Sequence, residues 1–112
     1  MHLTEKVYED VAIVHLRGDL LDENDDAAIQ QKINSLATDD IKKVVFDLGM
    51  VNRINSKGLG ILISAIDTMH KNGGELRLAR IDKNLHNLLT ITNLIRIFGT
   101  YETVERATAS FG

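Results

Sequence analysis

A chain of 112 residues with 44% hydrophobic content suits one compact domain with its own core and argues against disorder. Its formal net charge of -3, with basic residues scattered, excludes a general nucleic-acid binder that works by neutralising phosphates. The absence of cysteine excludes disulfides, thiol catalysis and iron–sulfur ligation; with no signal-type apolar core in "MHLTEKVYED" and no bilayer-length apolar run, a soluble cytoplasmic protein with no membrane partner is expected.

Residues 3–8 and 11–17 read as strands joined by a tight turn at Glu9-Asp10. Val11 and Ile13 alternate with Ala12, Val14 and Leu16, so the second strand is apolar on both faces and is expected to be covered on both. Gly18 is read as its end. The acidic stretch "DLLDENDD" follows, with Asp25 or Asp26 capping a helix over residues 27–37 whose Ile29, Ile33, Leu36 and Ala37 face the core.

Residues 43–48 form a short, continuously apolar strand containing Asp47. That carboxylate is either perturbed upward by burial or bonded to nearby backbone at a strand end. Then comes "INSKGLGILIS" at residues 54–64. Asn55 or Ser56 caps a helix running to about Asn72, with Leu59, Leu62, Ile63, Ile66 and Met69 as its core stripe. Ile61 and Ala65 are placed on the opposite side, where an apolar strip beside a serine reads as a docking face. Gly73-Gly74 stop the helix.

Residues 75–81 are the next strand and 83–93 a helix with Leu85, Leu88, Leu89 and Thr92 on one face. Residues 96–101 are a last strand, and 103–110 a last helix capped by Thr103. The order β-β-α-β-α-β-α-β-α implies an α/β fold. Its sheet is mixed but mostly parallel, with right-handed crossovers and helices mainly on one face.

The chemistry of the quoted loop is that of a helix start. Free backbone N–H groups and the positive end of the helix dipole favour an oxygen or a phosphate, and Gly58 and Gly60 keep the first turn bare. Neither a P-loop nor a dinucleotide fingerprint is present, so a nucleotide cradle is set aside. His2, His15, His70 and His86 lack metal spacing, and no G-x-S-x-G elbow occurs, so no catalytic set is expected. Arg77, Arg80 and Lys83 read as a solvated edge.

"KKVVFDLGMVNRINSKGLGILISAIDTMHKNGGELRLA" resembles the central motif of the STAS domains, and "IFGTYETVERA" resembles their closing strand and helix. The likeness covers nearly the whole chain, as one STAS domain over residues 1–112, and without a transmembrane segment it resembles the stand-alone anti-sigma factor antagonists. The resemblance implies a non-enzymatic partner switch without a cofactor of its own. Ser56 would be phosphorylated by an anti-sigma factor that is also a serine kinase of the histidine-kinase-like ATPase fold, and a phosphatase would restore it. Asn55, Lys57, Gly58 and Gly60 would shape the loop, Asp19 or Asp22 would line it, and Ile61, Ser64 and Ala65 would belong to the docking face.

This sequence departs from the family pattern at Asn55, where Asp is common, and at Lys57, where a small hydroxyl residue is frequent. It departs again in "GDLLD", one residue longer than the usual G-x-L-D. The competing expectation is a binding or scaffold module of a transport or stress-sensing complex, in which Ser56 is only a cap.

Overall fold

β1 (His2–Tyr8) and β2 (Val11–Leu20) pair antiparallel across the turn at Glu9, which adopts a left-handed φ of 56°. The computed structural model describes residues 1–112. β3 (Lys43–Ile54), β4 (Glu75–Ala79) and β5 (Gly99–Tyr101) follow in spatial order β1-β2-β3-β4-β5, every pair after the hairpin being parallel. The mixed, mostly parallel sheet is the one expected.

Period-two alternation divides the side chains of the central strands between two layers. Ala12, Val14 and Leu16 of β2 join Val44, Phe46 and Leu48 of β3 beneath α1 (Glu23–Thr38), α2 (Ser56–Lys71) and α3 (Lys83–Ile91). Val11, Ile13, Val45 and Ala79 face the other way and meet Ala107 of α4 (Val104–Ala109). Helices therefore lie mainly on one face, with α4 covering part of the second.

Several boundaries differ from expectation. Gly18 does not end β2. It takes a φ of +114° at an irregularity in the pairing, and the strand resumes alongside β3 to Leu20 opposite Ile54. β3 likewise continues past Leu48 because that extended partner is available. The cap of α1 is Asp22, not Asp25 or Asp26. Its carboxylate accepts from the N–H groups of Asn24 and Asp25, while Asp25, buried in the first turn, accepts from the N–H of Asp22 and of Leu21. The expected strand at 96–101 is shorter, because Leu94–Arg96 form a 3-10 turn first.

Candidate functional site

The ends of β2 and β3 and the starts of α1 and α2 meet at one edge of the sheet. Arg53 pairs with Asp19 at 2.7 Å across the strand ends, and the Asn55 side-chain amide donates to the carbonyl of Leu21 at 3.3 Å. The Arg53 guanidinium beside it holds the half-buried Asp19 carboxyl below the usual carboxylate range. The capping Asp22 directly follows Leu21. The fold thus brings Asp19, Asp22, Asn55 and Ser56 together from distant parts of the chain.

Asn55 caps α2. Its extended backbone and its side-chain oxygen, which accepts the N–H of Gly58 at 2.9 Å, satisfy one of the donors left over at the helix start. Ser56 is consequently the first helical residue. It is exposed, and the loop's side-chain hydrogen bonds all belong to Asn55. The choice between Asn55 and Ser56 as cap is resolved, and the serine hydroxyl is left unengaged beside the exposed Lys57 at the positive end of the helix dipole.

The two loop glycines have different surroundings. A Cβ on Gly58 would lie 2.0 Å from the carbonyl oxygen of Leu20 and 2.8 Å from a side-chain carbon of Ile54. The bare Cα there is what lets α2 start against the end of β2. A Cβ on Gly60 would meet nothing within 4 Å. Gly60 faces outward with Ser56, Ser64 and Asp67, and Ser64 accepts a hydrogen bond from Gln30 of α1 at 3.1 Å.

The expected apolar docking strip is corrected. Ile61 is 3% and Ala65 0% exposed; both are sealed in the core with Leu62 and Met69. The side chain that reaches the outer face is the half-buried Ile63, expected in the core stripe. The helix is apolar around most of its circumference, so its orientation is set by where Gly60, Ser64 and Asp67 can be tolerated.

Sequence reasoning missed a second polar cluster. Asp47, 3% exposed, accepts from Arg80 Nε at 2.7 Å, from the N–H of Gly49 at 3.0 Å and from His15 Nδ1 at 2.6 Å. Burial alone would push its carboxyl up; Arg80, the Gly49 amide and His15 outweigh that and hold it below the ordinary value, the reverse of a raised carboxyl. Arg80, expected at a solvated edge, is exposed there but anchored through Nε. Arg77, too, is engaged, pairing with Glu75 at 2.7 Å and lying 4.1 Å from the centre of the Phe111 ring. The signal for Asp47 was a charged residue inside an apolar strand; its partners could be found only through strand register.

A carboxyl depressed by folding stabilises the protein above its unfolded value, about 3.9, and that contribution is lost as pH falls through the folded value. On acidification below about pH 4, the Tm of the wild type should therefore drop more steeply than that of Asp47→Asn. Thermal melts across that range check this; parallel declines would contradict it.

No helix is long and apolar enough to cross a membrane, and no cluster of His, Cys, Asp or Glu is arranged to hold a metal. The family model of the STAS domain matches residues 2–107. A Paenibacillus polymyxa protein named anti-sigma F factor antagonist is 25% identical over 97 residues, covering 87% of this chain and 83% of that one. An anti-sigma factor antagonist from Mycobacterium paratuberculosis shares the fold with a TM-score of 0.82 at 23% identity, over 97% of this chain and 92% of that one. The Bacillus cell fate determinant SpoIIAA, solved in its phosphorylated form, does so with a TM-score of 0.74 at 14% identity, over 99% of this chain and all of the other (100%).

Proposed function

The chain belongs to the STAS domain family, and we propose that within it this protein is an anti-sigma factor antagonist governed by phosphorylation of Ser56. The observation that carries this reading is the division of labour at the start of α2. Asn55 does the capping, so the Ser56 hydroxyl is exposed and has no structural task. Relatives named as antagonists of anti-sigma factors support the same reading.

Unmodified, the loop and the outer face of α2 dock on an anti-sigma factor that is also a serine kinase of the histidine-kinase-like ATPase fold. The kinase supplies ATP and magnesium. Transfer of the γ-phosphoryl group to Ser56 adds about -1.5 to -2 charges. The helix dipole and Lys57 tolerate that charge within the domain, so the fold stands. At a close-packed interface the same charge is repelled or left desolvated, and the complex separates. A phosphatase returns the loop to its binding state.

Gly60 provides the test of where the partner sits. Replacing a glycine within a helix by alanine stabilises by about 0.5–1 kcal/mol where space allows, and space is open here. Gly60→Ala should raise the Tm by several degrees yet weaken the complex with the kinase, because its methyl stands in the docking face. Calorimetric titration of the kinase with wild type and variant decides it. An unchanged affinity would place the partner elsewhere.

A further inference from the structure

The sheet face that α4 leaves partly open carries a polar cluster with no part in the Ser56 reading. His15 and Asp47 stand opposite each other on β2 and β3, and the same face continues onto β1, where Thr4 lies opposite His15 and His2 opposite Arg17. Arg80 reaches in from the end of β4. Together these residues line a depression.

The depression has the marks of a built site. Arg80 holds a left-handed φ of 57°, uncommon for a residue with a side chain. Its guanidinium lies over Gly49, where a Cβ would fall 2.2 Å from the guanidinium carbon. Both oxygens of the buried Asp47 are engaged: Oδ1 takes Arg80 Nε and the Gly49 amide, and Oδ2 takes His15 Nδ1. The Nη groups of Arg80, the exposed Arg17 and His2 have no acceptor within the protein, and Nε2 of His15 has no partner there. Glu105 on α4 adds its charge near Arg80 without pairing with it. Unpaired donors gathered at one place in a chain of net charge -3 run against its overall balance.

The geometry points to a binding site for a phosphate-type oxyanion in this depression, held by the Nη groups of Arg80 and by Arg17 and met by His15. Guanidinium forks match such oxygens. With Nδ1 donating to Asp47, the outward Nε2 accepts from a protonated phosphate oxygen, or donates to an ionised one once the ring is charged.

Inorganic phosphate titrated into the full chain, followed by NMR, tests the assignment. Saturable shifts are expected at His2 and His15, and Arg17→Gln should weaken binding about tenfold, the factor for ~1.4 kcal/mol, with the fold unchanged. Arg80→Gln also deprives Asp47 of its partner, so the Arg17 variant is the decisive one. Phosphoserine titrated in parallel identifies the source. Tighter binding than phosphate assigns the site to a phosphorylated protein; equal or weaker binding assigns it to free phosphate. Shifts that never saturate, or an affinity unaltered by Arg17→Gln, would overturn the proposal.

Discussion

Ser56→Asp is expected to weaken the complex with the proposed anti-sigma kinase by about 100-fold or more, on the order of 3 kcal/mol, while leaving the melting temperature nearly unchanged. The two halves of that result have separate causes. An acidic residue in the first turn of α2 interacts favourably with the dipole, worth about 0.3–1 kcal/mol, so the isolated domain tolerates it. The proposed partner would meet the same carboxylate in a tight interface, where an unpaired charge is costly. Ser56→Ala should bind like the wild type, and its complex should survive incubation with ATP. Equal affinity for Ser56→Asp would favour the scaffold role, in which the outer face of α2 is a permanent contact.

Gly58→Ala is expected to destabilise the domain by about 3 kcal/mol, or on the order of 10–20 °C in Tm. Helix propensity alone predicts the opposite sign. Packing decides, because the new Cβ would meet the Leu20 carbonyl oxygen at 2.0 Å, and a backbone atom cannot rotate away as a side chain can. The start of α2 would have to lift off the end of β2, taking the Asn55–Leu21 contact with it. Chemical denaturation of Gly58→Ala beside Gly60→Ala checks this directly. The two substitutions are chemically identical, lie in the same turn and should move stability in opposite directions.

Much of this architecture could be read before any coordinates. The alternating run from Val11, the stripe from Leu59 through Met69 and the Gly73-Gly74 stop placed strands and helices in the right order, since apolar period and turn chemistry are local properties. The Thr103 cap was found the same way, and Thr103 accepts from Arg106 N–H. Features that depend on a distant partner were not legible. Gly18 looked like a terminator because nothing nearby shows that β3 would extend to Ile54 and hold it in register. Asp22 was passed over as a cap because several acidic neighbours offered equally good local chemistry.

The site was legible in part for the same reason. Ser56, Asn55 and the glycines belong to one local pattern, and the approach of Asp19 and Asp22 followed from the family likeness rather than from spacing. Ile61 and Ala65 were misplaced because a helix apolar on most sides does not announce which side is covered. The pairing of Asp47 with Arg80 and His15 is a product of sheet register and of an unusual backbone angle at Arg80, neither of which leaves a local trace.

The most direct measurement is to incubate the chain with the proposed serine kinase and magnesium ATP, map the phosphate by mass spectrometry and titrate the purified modified form against the kinase. A single phosphate on Ser56 accompanied by loss of binding is the predicted result. No phosphate on Ser56, or a phosphorylated form that binds as tightly as the unmodified one, would contradict the switch.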